Sequence, residues 1–179
     1  MKFESLVIDK KFKDCVHYIC AHGGTSLGAT KLNKILWLLD ISSYIQTGKS
    51  VTNSKYICRD MGPVPAQILP TLRQLQAEDK LAISYSASGP YVKRDFLSLV
   101  EPDTSRLSKE EMESALFFIN YVCEHHTANS ISDLTHDIIW EVAQDGEEIP
   151  LYAMLAARAG EINQRHKDWA DAIIETLAI

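Results

Sequence analysis

The stretch from Ile35 to Ile41 constrains the fold more than any other feature, because Asp40 is its only polar residue. A helix that is apolar on every side is normally buried on every side. The pattern predicts a helix from about residue 30 to about residue 47, with Gly48 as a left-handed C-terminal stop. Such a helix is about 27 Å long, enough to cross a small domain, so the other elements are expected to pack around it.

This central helix carries one carboxylate among its apolar residues. At 100° per residue, Asn33, Trp37, Asp40 and Tyr44 fall on one stripe. A buried carboxylate needs partners, because burying it unpaired costs several kcal/mol. The favoured interpretation is a structural Asp40, buried and bonded to backbone amides or to a tyrosine hydroxyl. The alternative is a pocket that recognises a ligand.

The totals describe an ordinary single-domain protein with room for one appendage. Of its 179 residues, 46% are hydrophobic and 23% are charged, which excludes a disordered chain. The longest apolar run, Ile35 to Leu39, is too short for a bilayer, and the N-terminus lacks the apolar core of a signal peptide. Four cysteines without a regular spacing predict reduced thiols and a cytoplasmic location.

The net charge of -6 is unevenly distributed along the chain. Residues 1–100 contain 13 Lys+Arg and 8 Asp+Glu, a net +5, whereas residues 101–179 contain 5 and 16, a net -11. This division predicts two surfaces with different preferences, the acidic one suited to a basic protein and repelling nucleic acid. The alternative interpretation is that the basic and acidic halves form solvent-exposed faces whose charges pair with each other, which explains the same uneven distribution.

The first hundred residues predict helices, a short strand and a hairpin. A helix over 10–22 ends at Gly23-Gly24, and residues 54–60 are expected to form a strand before the rigid turn Gly62-Pro63-Val64-Pro65. A helix follows to about Asp79, either starting at Pro70 or kinked there. Residues 81–87 and 91–100 predict a hairpin joined at Ser88-Gly89.

The second half predicts helices alone. Ser108 to Glu111 form a capping box that starts a helix ending near His125. Ser130 or Ser132 is expected to cap the next helix, in which His136 and Trp140 share a face. Pro150 is placed in the first turn of another helix, and residues 161–177 predict an amphipathic helix.

The candidate sites give no catalytic assignment. On a helix, Cys15 and His22 lie opposite His17 and Cys20, so these four side chains cannot converge on zinc. The sequence contains neither a phosphate-binding glycine loop nor a nucleophile elbow. Asp40 and His136 are residue types that could act as an acid/base pair, but structural hydrogen bonding is the favoured interpretation of both.

The order of elements also resembles a winged helix whose reading helix spans about 66–79. That helix offers Gln67, Arg73, Gln74 and Gln76 but ends in Glu78-Asp79, a weak set for phosphate contact.

Several short motifs, in this order, resemble the Panacea antitoxin domain. They are Lys31-Leu32-Asn33-Lys34-Ile35-Leu36-Trp37, Thr47-Gly48-Lys49, Gly62-Pro63-Val64-Pro65, Thr135-His136 with Trp140, and Ile149-Pro150. The resemblance covers about residues 10–155. Trp37 stands where the family usually has tyrosine, and the domain does not require the tail after Gly160.

The resemblance implies an α+β fold that is predominantly helical, with a central buried helix and a small antiparallel sheet made of the β-hairpin and the short strand. Residues 1–159 would form the domain and 160–179 a C-terminal amphipathic helix. The family includes phage-associated proteins and a proteolysis-promoting antitoxin, so the chain is expected to bind and neutralise a toxin encoded by an adjacent gene, without enzymatic activity, cofactor or metal. The residues that match the family motifs are expected either to bind a partner or to stabilise the fold. They are Lys34, Trp37, Asp40, Gly62, Pro63, His136 and Trp140.

Two alternatives stay open beside direct neutralisation. One is an adaptor that delivers the toxin to a protease, and the other is a winged-helix-like regulator that binds DNA. Neither the oligomeric state nor the identity of the toxin follows from the sequence.

Overall fold

The computed structural model describes residues 8–136 and 138–153. Within them the architecture is α+β and predominantly helical, as expected. The helices are α1 (Lys10–His22), a 3-10 turn (Gly24–Ser26), α2 (Ala29–Thr47), α3 (Ile68–Ala77), α4 (Lys109–His125), α5 (Ala128–Thr135) and α6 (Ile138–Val142). The strands are β1 (Tyr56–Ile57), β2 (Val64–Pro65), β3 (Leu81–Ser88), β4 (Tyr91–Ser98) and β5 (Glu148–Ile149).

The central helix is where the sequence predicts it. α2 contacts α1, α4, α5, β2 and β4, and its residues from Leu32 to Ile41 are buried except Asn33 and Leu38. It ends at Gly48, whose φ of 73° is left-handed and whose N–H bonds the carbonyl of Tyr44 at 2.9 Å. Burial on nearly all sides is the consequence of an apolar sequence on all sides.

α1 supplies one wall of the main core. Asp9 caps the helix by accepting a hydrogen bond from the Phe12 amide at 2.8 Å. The face that includes Phe12, Val16 and Ile19 is fully buried, and it packs with apolar residues of α2, α3 and α4. The predicted helix over 10–22 is confirmed.

β3 and β4 form the predicted hairpin, paired without interruption from Leu81 opposite Ser98 to Ser88 opposite Tyr91. Gly89 has a φ of 60°, the positive value that the first central position of a two-residue type II′ turn requires, and Pro90 occupies the second. Phe96 is buried against the helices, whereas the end of the hairpin near the turn is exposed.

A second, three-stranded sheet has the order β2-β1-β5, and both pairings are antiparallel. The predicted strand over 54–60 is too long, because only Tyr56 and Ile57 pair with both neighbours. Beyond them the Cys58 amide bonds the carbonyl of Glu147, and the Gly62 amide turns back to the carbonyl of Arg59. These bonds commit the backbone to a tight loop, so a longer ladder cannot form.

α3 starts at Ile68, so Pro70 lies in its first turn, where a missing N–H costs nothing. The capping box predicted at Ser108 is confirmed, with both reciprocal bonds between Ser108 and Glu111 present. α4 ends at His125, also as predicted.

Two predictions about the following helix are wrong. Its cap is Thr127 rather than Ser130 or Ser132, because Thr127 and Ser130 form a second reciprocal box. The expected continuous helix through Trp140 is also broken, since His136 is extended at φ -80°, ψ 96° and separates α5 from α6.

After Pro150 the described residues show a turn at Leu151 and Tyr152 and one helical residue, Ala153, so the helix expected there stays a prediction. The amphipathic helix over 161–177 lies outside the described residues. The division of the chain at residue 160 therefore stays a prediction. Within the described ranges, no helix combines the length and the apolarity needed to cross a membrane.

Candidate functional site

Asp40 lies fully buried on α2 with three hydrogen-bond donors. Its carboxylate accepts the Thr52 amide at 2.8 Å, the Tyr56 hydroxyl at 2.8 Å and the Thr52 hydroxyl in a short bond. Burial raises the pKa of Asp40 above its usual range, and the same three bonds oppose that rise. The prediction that Asp40 is buried and hydrogen-bonded is confirmed. Its partners, Thr52 and Tyr56, were not among the predicted site residues.

Trp37 and Tyr56 join Asp40 to a small second core. The rings of Trp37 and Tyr56 meet edge to face with centroids 4.8 Å apart. Both are buried with Ile41, Cys58 and Ile149, and the ring of Trp140 packs against this cluster. The second core therefore lies between α2 and the three-stranded sheet.

The loop from Arg59 to Pro63, called the 59–63 loop below, lies over Lys34. Gly62 has a φ of 100°, and a Cβ built on it would lie 1.9 Å from Lys34 Nζ. Lys34 is only 1% exposed, so its ammonium is enclosed under the loop. Glycine is required here on two grounds, the left-handed backbone and the close approach of Lys34.

The segment from Ser132 to Trp140 holds the same loop from its other side. The rings of His136 and Trp140 stack with centroids 3.7 Å apart and 3° between their planes. The Trp140 indole N–H donates to the carbonyl of Arg59 at 2.9 Å, and the Ser132 hydroxyl donates to the carbonyl of Met61 at 3.0 Å. His136 Cδ2 lies 3.3 Å from the position of a Cβ on Gly62.

The predicted site residues fall into two neighbouring groups. Lys34, Gly62, Pro63, His136 and Trp140 meet at the 59–63 loop, in which Pro63 is buried. Trp37 lies in the second core, which Trp140 also contacts, and Asp40 bonds the Tyr56 of that core. Their observed contacts point inward, to the loop backbone and the second core. Met61, 40% exposed, is the apolar residue that this loop presents to solvent. The arrangement is one that fixes a loop.

The acid/base pair considered for Asp40 and His136 is not assembled. Both carboxylate oxygens of Asp40 are engaged by Thr52 and Tyr56, while the His136 ring stacks on Trp140 beside Gly62. A proton-transfer pair needs the two groups within hydrogen-bond reach of a common substrate atom. The two side chains instead have separate structural partners, Thr52 and Tyr56 for Asp40 and Trp140 for His136.

The cysteines and histidines of α1 have separate environments. His17 Nε2 bonds Ser98 Oγ at 2.8 Å and His22 Nδ1 bonds the carbonyl of Tyr18 at 2.9 Å. Burial raises the pKa of the Cys15 and Cys20 thiols, which keeps them protonated. No cluster of three metal-binding side chains occurs among the residues that the structure describes.

α3 presents little that would bind DNA. Gln67 Oε1 accepts the Asp9 amide at 3.0 Å, and Gln74 Nε2 donates to Glu78 Oε1 at 2.8 Å. Glu78, whose pKa falls to about 2 beside Lys13 and Lys80, remains a negative charge at the end of the helix. Of the four side chains proposed for base contact, only Arg73 and Gln76 are exposed.

An open apolar groove between α2 and α4 was not predicted. It has a volume of about 260 Å³ and is lined by Leu38, Ile41, Ser42, Ile45, Gln46 and Phe118. Phe117, 64% exposed, extends the apolar surface, since its ring meets that of Phe118 at 5.2 Å. The sequence does contain one indication of this groove. Ile45 continues the apolar stripe of Leu38 and Ile41 into the last part of α2, where most of the other residues are polar.

The family model described as antitoxin SocA-like, Panacea domain, matches residues 32–141, more than half of the chain and a range that includes every predicted site residue. No curated protein and no solved structure matched the chain. The match confirms the resemblance found in the motifs, and the chain belongs to the SocA-like antitoxin family that carries a Panacea domain.

Proposed function

We propose that this protein is an antitoxin that neutralises one cognate toxin, encoded by an adjacent gene, by forming a stoichiometric complex in the cytoplasm. The observation that carries the proposal is the family match over residues 32–141. An antitoxin of this kind acts by binding and needs neither a catalytic set nor a cofactor.

The contacts of the motif residues support binding through another surface. Lys34, Gly62, His136 and Trp140 are committed to the 59–63 loop, so they serve to hold the fold. We place the partner-binding surface on the groove between α2 and α4 together with Phe117. We call this surface the α2–α4 patch.

The charges beside the patch suggest the chemistry of the toxin. Phe117 lies on the outer face of α4 in helical register with Glu113 and Glu124, and all three are exposed. The whole segment 101–179 carries a net -11. We therefore expect the toxin to place an apolar side chain in the patch and basic side chains around it, since complementary charge accelerates association and selects the partner.

Co-expression with the adjacent gene tests the proposal. The neighbour should arrest growth alone, this protein should relieve the arrest in proportion to its amount, and the two should co-purify. A specific complex should bury on the order of 1,200–2,000 Å². A harmless neighbour would contradict the proposal, and so would rescue by trace amounts of this protein without co-purification.

The fate of the toxin separates direct neutralisation from proteolytic delivery. Under our proposal the toxin persists in the complex at an unchanged level. A toxin that disappears when this protein is present would show that delivery to a protease is the mechanism, and would overturn stoichiometric binding.

A matched pair of variants locates the interface. Phe117→Asp should abolish co-purification and rescue, because it places a charge on the exposed apolar surface that extends the groove. Leu69→Asp is the control, since Leu69 is also exposed, at 51%, but lies on α3. Both variants should keep the unfolding midpoint of the wild type. Equal loss of binding by both, or by neither, would contradict this location.

A further inference from the structure

The outer edge of β3 is a long, uncharged strand edge. β3 pairs with β4 in a two-stranded sheet, and within the described residues its other side pairs with no strand. The strand has eight residues, Leu-Ala-Ile-Ser-Tyr-Ser-Ala-Ser, with neither a charge nor a proline. Its ladder runs through eight successive residue pairs, without a bulge. Charges, prolines, bulges and shortness are the devices by which proteins block strand edges, and this edge has none of them.

The hydrogen-bond pattern shows which backbone groups face outward. The Leu99 amide bonds the carbonyl of Lys80 at 2.9 Å, which makes residues 80 and 99 a hydrogen-bonded pair. Such pairs alternate along an antiparallel ladder, so residues 82, 84, 86 and 88 of β3 also bond β4. The two-residue turn agrees, because its closing pair, Ser88 and Tyr91, must be hydrogen-bonded. The amides and carbonyls of Ile83, Tyr85 and Ala87 therefore point away from β4.

This edge is also accessible. Ser84, Tyr85, Ser86 and Ala87 are exposed, and Tyr85 is 66% exposed with Arg94 over its ring at 5.8 Å. The strand thus presents three outward amide and carbonyl pairs to solvent, with an aromatic side chain at their centre.

We propose that the edge of β3 binds the β3 edge of a second copy of this chain, giving a symmetric four-stranded sheet with the order β4-β3-β3-β4. Two-fold antiparallel pairing is isologous, so each strand must accept its own sequence. Outward groups must meet outward groups, and the register that pairs all three outward residues of each strand places Tyr85 opposite Tyr85 and Ile83 opposite Ala87.

Electrostatics permits the self-pairing. Because β3 is uncharged, no register within the strand sets like charges directly opposite each other, which is the usual obstacle to pairing identical strands. The nearest basic side chains of the hairpin, Lys93 and Arg94, are on β4. The two β4 strands would be three strand spacings apart, about 14 Å, and Lys93 is paired with Asp95 of its own strand.

Pairing through a single strand edge limits the expected affinity of the dimer. The pairing buries less than the roughly 1,200 Å² of a standard stable interface, so the dimer should form at micromolar protein concentrations and its population should depend on concentration. The proposal does not rest on toxin binding, which we place on α4.

Light scattering after size-exclusion chromatography tests the proposal on the full chain across the micromolar range. The wild-type mass should rise from one chain towards two. Tyr85→Pro should stay monomeric, because it removes an outward N–H while keeping every bond to β4, a position where an edge strand tolerates proline. Tyr85→Ala is the matched control: it loses the same side chain, keeps the N–H, and should still dimerise.

Ala87→Pro removes a second outward N–H and replaces Tyr85→Pro if that variant does not fold. A wild type that is monomeric throughout would overturn the proposal, as would a proline variant that still dimerises. Equal loss of dimer in Tyr85→Ala and Tyr85→Pro would also overturn it, because side-chain packing would then be the cause. A further outcome is a wild-type protein that is monomeric in the absence of the toxin, together with a Tyr85→Pro variant that no longer co-purifies with the toxin. This outcome would show that the edge binds a strand of the toxin, and the second-copy proposal would fail.

Discussion

At the scale of single residues, Asp40 shows how a carboxylate is held inside an apolar helix. Asp40→Ala would leave the Thr52 amide and the hydroxyls of Thr52 and Tyr56 without their acceptor. We expect it to lower the free energy of unfolding by about 1–3 kcal/mol, the cost of leaving buried donors unsatisfied. Urea unfolding at neutral pH measures the loss. Tyr85→Ala, a truncation at an exposed position, should leave the stability close to that of the wild type.

The prediction for Asp40 fails if Asp40→Ala unfolds at the wild-type midpoint.

The burial of Asp40 and its need for a hydrogen-bond partner followed from the sequence, because a single carboxylate interrupts an otherwise apolar stretch. Thr52 and Tyr56 did not, since they come from a loop and a strand whose position relative to α2 depends on tertiary packing. The groups that satisfy a buried charge are contributed from a distance along the chain, and local periodicity does not reveal them.

At the scale of elements, the 59–63 loop depends on one glycine. Gly62→Ala forces a side chain onto a backbone at φ 100° and towards Lys34 Nζ, which is buried. Gly89→Ala is the matched control, since Gly89 also has a positive φ, 60°, but nothing lies within 4 Å of its Cβ position. We expect Gly62→Ala to cost at least about 1 kcal/mol more than Gly89→Ala, because a buried polar group must move. Thermal or urea unfolding of the two variants gives the difference.

Equal costs for the two glycine variants would show that backbone strain alone decides, and that Lys34 moves aside freely. The elements themselves followed from the sequence where one local signal dominated: the apolar run and Gly48 for α2, the capping box for α4, and Ser88-Gly89 for the hairpin, whose central turn residues are Gly89 and Pro90. The strand over 54–60 and the continuous helix through Trp140 were wrong. The strand ends early because the Gly62 amide turns back to the carbonyl of Arg59. The helix breaks at His136, beside the tertiary bond from the Trp140 indole to the carbonyl of Arg59.

At the scale of the whole molecule, the family match and the folding unit do not coincide. The match begins at residue 32, but the main core includes six residues of α1: Phe12, Cys15, Val16, Tyr18, Ile19 and Cys20. These side chains cover the apolar residues of α2. Ile149, which completes the second core, also lies beyond the matched range.

We therefore expect that removing residues 1–22 abolishes cooperative folding. Burying a large apolar side chain contributes about 1.5–3 kcal/mol, so the four largest core residues of α1 together contribute about 6–12 kcal/mol. That loss equals most or all of the stability of a typical domain, about 5–15 kcal/mol. Removal of residues 1–7 is the control, since it retains α1 and its Asp9 cap. Circular dichroism during thermal unfolding should show a sigmoidal transition for the control and none for the longer deletion. A chain starting at residue 23 that unfolds cooperatively near the wild-type midpoint would show instead that α2 is stable without α1, and that the domain is the smaller unit that the family match defines.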